Sequence, residues 1–124
     1  MTTRGDWTAA TFSNFSGLYF TYDSRGNGFG DYFVEVVQAE GGGLVGKLYQ
    51  GNGLFDDSGV FVTNVNADRN GRKLIVRFPR NLLDPRDNYI GWTAVSKYTG
   101  TISCEENQNC IDVMPDGTFY RHNL

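Results

Sequence analysis

The chain has 124 residues, of which 40% are apolar and 20% charged, and its formal net charge is −3. This length and composition are typical of one folded domain, and we expect residues 1–124 to form a single one. They exclude a disordered chain. No apolar run is long enough to span a bilayer as a helix. The chain also lacks the excess of basic residues that is typical of nucleic-acid-binding proteins.

Alternation of apolar and polar residues predicts the strands. In chain order they are 19–22, 32–39, 44–49, 60–65, 73–78 and 89–98, then a hairpin of 101–104 with 110–114, and a last strand at 118–121. Residues 7–15 form either a helical turn or a first strand, and Asn70-Gly71 is typical of a β-hairpin turn. Because the connections are short, neighbouring strands should be antiparallel. We therefore predict an all-β, antiparallel, up-and-down β-barrel of about eight strands, with a two-sheet β-sandwich as the alternative.

The alternation divides the strands into two faces. One face is almost wholly aliphatic and is predicted to form the interior: Val34, Val36, Leu44, Leu48, Val60, Val62, Leu74, Val76 and Phe78. The other, the mixed face, places polar residues between large apolar ones: Phe33, Glu35, Val37, Val45, Lys47, Tyr49, Phe61, Thr63, Val65, Ile75 and Arg77. This face is either covered by another subunit or segment, with its charges forming cross-strand pairs, or it lines a ligand cavity.

A ligand site on the strands would use polar and aromatic side chains, namely Glu35, Lys47, Tyr49, Thr63, Arg77 and Trp92. The single histidine, His122, is third from the end of the chain, where we expect an exposed tail residue rather than a positioned general base. No catalytic residue is assigned, and whether the protein is an enzyme stays open.

Two turn-rich segments partly match ligand-binding motifs. Residues 66–71 match the start of a calcium loop, but Arg77 stands where the loop needs an acidic residue. Gly26-Asn27-Gly28-Phe29-Gly30 has the glycines of a phosphate loop, but no helix follows, so we predict a flexible hairpin loop. Asp23, Asn27 and Asp31 around that loop could meet a cation, but spaced Asp and Asn are ordinary turn residues. We therefore predict no metal and no cofactor.

The termini and cysteines leave the compartment open. Residues 1–7 have no apolar stretch of the kind that a signal peptide needs, which slightly favours the cytoplasm, although a mature secreted domain would look the same. Cys104 and Cys110 are either a hairpin disulfide or two buried thiols.

Gly5-Asp6-Trp7 near the start, the series of short strands and Arg121 near the end together resemble the calycin pattern of lipocalins, avidins and fatty-acid-binding proteins. The resemblance implies a barrel in which Trp7 plugs the closed end and Arg121 stacks on its indole. It implies no particular ligand.

Three functions follow as hypotheses. The first is a binding protein that holds a small organic molecule in the barrel mouth. The second is an oligomeric interaction module or carbohydrate-binding module that uses the mixed face. The third is a barrel-type cyclase that uses Glu35, Lys47, Tyr49 and Arg77. The expected partners are a small-molecule ligand and further copies of the chain in a homo-oligomer, and neither nucleic acid nor a membrane is expected.

Overall fold

The computed structural model describes residues 15–52, 59–71, 73–86, 88–98, 110–114 and 118–124, and the side chains of 15–17, 98 and 110–112 are not described. The described elements are β1 (Phe15–Asp23), β2 (Tyr32–Gln38), β3 (Leu44–Gln50), β4 (Val60–Asn70), β5 (Lys73–Arg77), a short 3-10 helix (Arg80–Leu83), β6 (Tyr89–Tyr98), β7 (Cys110–Met114) and β8 (Tyr120–Asn123). Trp7, Cys104 and the predicted strand 101–104 lie outside the described residues. Within these ranges, no helix has the length and apolar character needed to cross a membrane.

All eight strands belong to one antiparallel sheet in the order β5-β4-β3-β2-β1-β6-β7, and β8 also pairs with β6. The sheet curls through 269° and forms a half-barrel that is open at the edge. The prediction of an all-β, antiparallel fold of about eight strands is confirmed, and the single sheet excludes the two-sheet sandwich for the described strands. Strong curling is the result of right-handed strand twist accumulated over many neighbours.

The strands β1 to β5 form a simple meander, and β6 then returns to the free side of β1. The strands β7 and β8 lie one after the other along the same edge of β6, where β7 pairs with residues 94–98 and β8 with residues 89–92. At the point where β7 ends, the Thr93 hydroxyl donates a hydrogen bond to the Met114 carbonyl, at 3.0 Å. One side of β6 thus carries two short strands.

The core fills the concave side of the half-barrel. Its buried members come from six strands and the 3-10 helix: Leu18, Phe20, Tyr22, Val34, Val36, Leu48, Val65, Ala67, Leu74, Leu83, Ile90 and Ala94. Val34 and Leu48, both predicted to be interior, are fully buried at its centre. Packing there is tight, because a Cβ added to Gly46 would lie 2.6 Å from Cγ2 of Val65.

A β-bulge in β4 changes which residues face the core. Leu48 is opposite Thr63 and Tyr49 is opposite Phe61, which leaves Val62 as the extra residue. One extra residue exchanges the two faces of a strand. Val65 therefore faces the core, and the prediction that it lies on the mixed face is wrong. The prediction that Val62 is interior is wrong because Val62 is the bulge residue. Val60 is opposite Gln50 and keeps its predicted face, but the prediction that it is interior is wrong because it is exposed at the start of β4. Val60 and Val62 are 70% and 41% exposed, whereas Val65 is 7% exposed and lies in the core.

Two carboxylates hold the glycine-rich loop between β1 and β2. Asp23 accepts hydrogen bonds from the backbone N–H groups of Arg25 (3.1 Å), Asn27 (3.2 Å) and Gly28 (2.7 Å). Asp31 accepts from the backbone N–H groups of Ser24 (3.0 Å) and Arg25 (3.1 Å). The N–H groups of this predicted hairpin loop are directed inward at two aspartates, which satisfy them within the turn. Those oxygens are occupied by N–H donors, which does not favour a cation there.

Candidate ligand-binding cavity

A cavity of about 670 Å³ opens on the concave side, where the edge of β5 faces β8 across the gap in the half-barrel. Strands from both halves of the sheet and the 3-10 helix supply its lining: Phe20, Tyr22, Leu74, Ile75, Val76, Arg77, Phe78, Arg80, Leu83, Ile90, Trp92, His122 and Leu124. Most of these side chains are apolar. The cavity lies where the curled sheet stops short of closure.

Aromatic rings form much of the cavity wall. The ring of Trp92 lies 6.4 Å from that of Phe20, centroid to centroid, and 5.3 Å from that of Tyr120. The rings of Tyr22 and Phe78 meet edge to face at 5.4 Å. Burial raises the pKa of the Tyr22 hydroxyl far above its ordinary value. Tyr22 is therefore a neutral hydrogen-bonding group at any physiological pH, set in an otherwise apolar wall.

The mouth of the cavity carries nitrogen-bearing side chains from three separate elements. Arg77 comes from β5, Arg80 from the 3-10 helix, and His122 from β8, where it is opposite Ile90. A guanidinium nitrogen of Arg77, Nη1, donates to Asp68 Oδ2 at 3.1 Å, and both side chains are mostly exposed. None of the described lining residues is an aspartate or glutamate.

The predicted residues Glu35, Lys47 and Tyr49 lie on the convex surface, away from this cavity. Glu35 is opposite Lys47 on β3 and opposite Tyr19 on β1. Aromatic rings run across four strands beside them, with centroid distances of 6.0 Å for Tyr19–Phe33, 4.9 Å for Phe33–Tyr49 and 5.7 Å for Tyr49–Phe61. We call Tyr19, Phe33, Tyr49 and Phe61 the aromatic row.

Glu35 sets part of the electrostatics of the aromatic row. Burial raises the pKa of Tyr19, and the negative charge of Glu35 adds to that rise. The pKa of Tyr49 is also raised by burial first, then by the charge of Glu35 and by a hydrogen bond between the two side chains. On the other side of Tyr19, the ammonium group of Lys97 lies 5.1 Å from the ring centroid. The mixed face is therefore a connected set of charges and rings.

Near the end of the sheet where the β1–β2 loop lies, other parts of the same chain close over the mixed face. Phe33 is only 3% exposed, and a Cβ added to Gly59 would lie 2.7 Å from its Cε1. Thr21 is fully buried, and Gly30 presses against its methyl group. The chain itself thus supplies a cover at these two positions, which agrees with the covered-face interpretation there.

Two of the six predicted site residues, Arg77 and Trp92, line the cavity. Thr63 shares a face with Leu48 because of the bulge, but it is not among the lining residues. Glu35, Lys47 and Tyr49 are on the opposite face. The structure therefore divides the predicted set between two surfaces.

Sequence reasoning missed several residues that line the cavity. Phe20 and Tyr22 alternate with Thr21 in the predicted strand 19–22, so the alternation of side chains along a strand indicates that Phe20 and Tyr22 share a face. His122 was interpreted as a tail residue, whereas it belongs to β8. Only the pairing of β8 with β6 brings it to the mouth, and that pairing has no local sequence signal.

Arg121, which the calycin resemblance pairs with Trp7, lies on the convex side opposite Gly91. Its guanidinium carbon is 3.8 Å from the ring centroid of Tyr89, so Tyr89 is its stacking partner among the described residues. Within the same residues, no cluster of three or more His, Cys, Asp or Glu side chains could hold a metal ion.

No known protein family, curated protein or solved structure matches this chain. The resemblance to calycins extends to a strongly curled antiparallel sheet of seven to eight strands, and no family match carries it further.

Proposed function

We propose that the protein binds a small organic molecule in the concave cavity at the open edge of its half-barrel. The observation that carries the proposal is the cavity itself, about 670 Å³ in volume and lined mainly by apolar and aromatic side chains. Ligand sites in proteins are roughly 300–1,000 Å³ and combine such walls with a few polar groups. Here the polar groups are the Tyr22 hydroxyl and the three residues at the mouth.

The apolar surface area that a ligand buries against the cavity wall limits the affinity that hydrophobic contacts can supply. A two-ring aromatic body that buries about 200 Å² of apolar surface gains about 5 kcal/mol at about 25 cal/mol per Å². That gain alone corresponds to a dissociation constant of roughly 0.2 mM. Tighter binding needs polar contacts, and the mouth is where such contacts are available.

The architecture supports a calycin-type mode of binding, in which the ligand sits inside a strongly curled antiparallel sheet. The interior position of the cavity and the curl of the sheet both favour this calycin-type mode of binding. The cap formed by Trp7 and Arg121 is a separate expectation of the resemblance, and the proposal does not depend on it.

A cyclase needs its reactive groups at one cavity. Of Glu35, Lys47, Tyr49 and Arg77, only Arg77 lines the concave cavity. The geometry therefore favours a binding protein over the predicted cyclase site.

A second candidate function, an interaction module that contacts further copies of this chain, is favoured by exposed apolar residues at one end of the sheet. Val60, Phe61 and Val62 are exposed at the start of β4, and Phe29 is 73% exposed in the β1–β2 loop at the same end. Apolar residues clustered at a surface are typical of protein contacts. Sedimentation velocity at micromolar concentration tests this: a Phe61→Lys variant should shift an oligomer towards monomer, and a monomeric wild type would exclude it.

The experiment for the cavity uses the neutral fluorescent probe N-phenyl-1-naphthylamine and two matched variants. Val76→Trp places an indole in the cavity, and Val37→Trp makes the same change at a half-buried valine of the mixed face. We expect the probe to bind wild type and Val37→Trp alike and to bind Val76→Trp at least about tenfold more weakly, because the indole occupies the site.

Circular dichroism and the unfolding midpoint serve as the folding control for both variants. Equal binding to Val76→Trp and wild type would place the ligand elsewhere. Absence of probe binding to the folded wild type would contradict the proposal altogether.

A further inference from the structure

The charge of the cavity mouth is opposite to that of the whole chain. The chain has 14 acidic and 11 basic residues, for a net charge of −3. Yet the described cavity lining includes two arginines and no aspartate or glutamate, and of these arginines only Arg77 has an ion-pair partner among the described residues, Asp68. A local excess of positive charge on an acidic protein concentrates anions at that place.

We propose that the ligand of this cavity is an amphipathic organic anion, with an apolar body and a carboxylate or similar acidic group, an inference that rests on the proposed function. The body would lie against Leu74, Leu83 and Ile90. The acidic group would lie at the mouth, within the field of Arg80 and beside the His122 imidazole. This orientation leaves the charged end close to water and buries only the apolar part.

Arg80 is the strongest of the three contributors. It has no ion-pair partner among the described residues, whereas Arg77 is already bound to Asp68 at 3.1 Å. An unpaired guanidinium presents several N–H donors in one plane, which suits both oxygens of a carboxylate. His122 reaches the mouth from β8, so the two nitrogen-bearing groups approach from different elements, the 3-10 helix and the strand.

The same lining disfavours other ligand classes. A cation would meet Arg80 without any described acidic lining residue to pair with, and like charges brought together lower affinity. A neutral molecule of the same shape keeps the apolar contacts but loses the charge-assisted hydrogen bond at the mouth. The preference between an anion and its neutral isostere is therefore the property to measure.

Two probes of nearly equal shape measure it, naphthalene-2-carboxylate and naphthalene-2-carboxamide, titrated by calorimetry at pH 7. We expect wild type to bind the carboxylate about tenfold more tightly than the carboxamide, and added salt to weaken only the carboxylate. Arg80→Gln should reduce the preference to less than about threefold, with a smaller loss in His122→Gln. Arg86→Gln, an exposed arginine outside the lining, removes the same charge as Arg80→Gln and should leave the preference unchanged.

The outcomes separate this inference from the proposed function. Equal binding of both probes would overturn the anion inference and keep a binding cavity. A carboxylate preference that persists in both Arg80→Gln and His122→Gln would also overturn it, since the preference would not come from the mouth. If neither probe nor N-phenyl-1-naphthylamine binds the folded protein, the proposed function fails too. The unfolding midpoint of each variant checks that it is folded.

Discussion

The concave face and the mixed face of this sheet differ in a way that their residue types alone do not indicate. The mixed face carries the interleaved charges and rings that suggest a ligand site, yet the chain itself covers this face at Phe33 and Thr21, near one end of the sheet. The residues of the concave face indicate a plain aliphatic core, yet this face contains a cavity of about 670 Å³ at the open edge of the sheet. The curvature of the sheet, rather than the polarity of its side chains, determines which face has a cavity for a ligand.

The pKa values of the tyrosines on the two faces are also raised by different causes. On the concave side, burial alone raises the pKa of Tyr22. On the mixed face, the pKa values of Tyr19 and Tyr49 are raised by burial and also by the nearby Glu35 carboxylate. A substitution at Glu35 should therefore change the pKa values of the tyrosines on the mixed face and not that of Tyr22 on the concave face. Substitutions on each face and a rise in pH test this division.

Replacing Leu48 by alanine should cause the largest loss of stability, because Leu48 is fully buried at the centre of the concave core. Removing a buried leucine side chain typically lowers the free energy of unfolding by about 2–5 kcal/mol. Urea unfolding followed by circular dichroism measures the change. Val62→Ala, in the bulge of the same sheet, is the control and should change stability by less than about 0.5 kcal/mol. Equal effects of the two substitutions would contradict the assigned faces.

Alkaline pH should lower stability through the buried tyrosines. The pKa values of Tyr19, Tyr22 and Tyr49 are raised above the ordinary value of 10.0 in the folded protein. Their contribution to stability is complete below pH 10.0 and is lost as the pH rises towards their folded pKa values, because the unfolded chain releases those protons first. Urea unfolding between pH 8 and about pH 11 measures it. A free energy of unfolding that rises over this range would contradict the direction.

Neutralising Glu35 should lower the pKa values of the mixed-face tyrosines only. In Glu35→Gln, loss of the negative charge makes the phenolates of Tyr19 and Tyr49 easier to form, and Tyr22 should be unchanged. NMR titration of ring-labelled tyrosine resolves the three residues. The matched control is Glu40→Gln, an exposed glutamate between β2 and β3, which should move none of them. An equal shift at Tyr22 would show that the faces are electrostatically coupled.

The smallest effect is expected from Asp68→Asn. This change removes the ion pair between Arg77 and Asp68, whose side chains are both mostly exposed. Exposed pairs typically contribute about 0–1 kcal/mol, so the free energy of unfolding should fall by no more than that. Chemical denaturation in low salt measures it, and repetition in high salt is the control, since screening should remove the difference. A larger loss would mean that this pair helps to hold the open edge of β5.

Among the described residues, the sequence predicted where the strands lie because most of them show clear local alternation, although β4 extends to Asn70 and not to residue 65. Val34 and Val36 on β2 and Leu74 and Val76 on β5 lie on the concave side as their period indicates. A hairpin is also present here, but its turn begins one residue later than predicted, because Asn70 is still in β4 opposite Lys73 and Gly71, at a φ of +57°, follows it. These features depend on residues only a few positions apart in the chain.

The features that the sequence did not predict depend on contacts between distant residues. The bulge at Val62 follows from how β4 meets β3, and nothing in Val60-Phe61-Val62 itself marks it. The place of His122 at the cavity mouth requires β8 to pair with β6. The candidate site was therefore only partly predictable: Arg77 and Trp92 were named, and Arg80 and His122 were not.

The bulge in β4 has a consequence for how the length of this chain can change. In a regular strand, deletion of one residue reverses every side chain beyond it and turns the core outward. Here Val62 is the residue without a partner, so its loss would leave Phe61 and Thr63 opposite Tyr49 and Leu48 in an unbroken ladder. Near its start, β4 thus contains a position where one residue can be gained or lost between related chains while Val65 and Ala67 still point inward. Comparisons among such chains should place their gap at this valine.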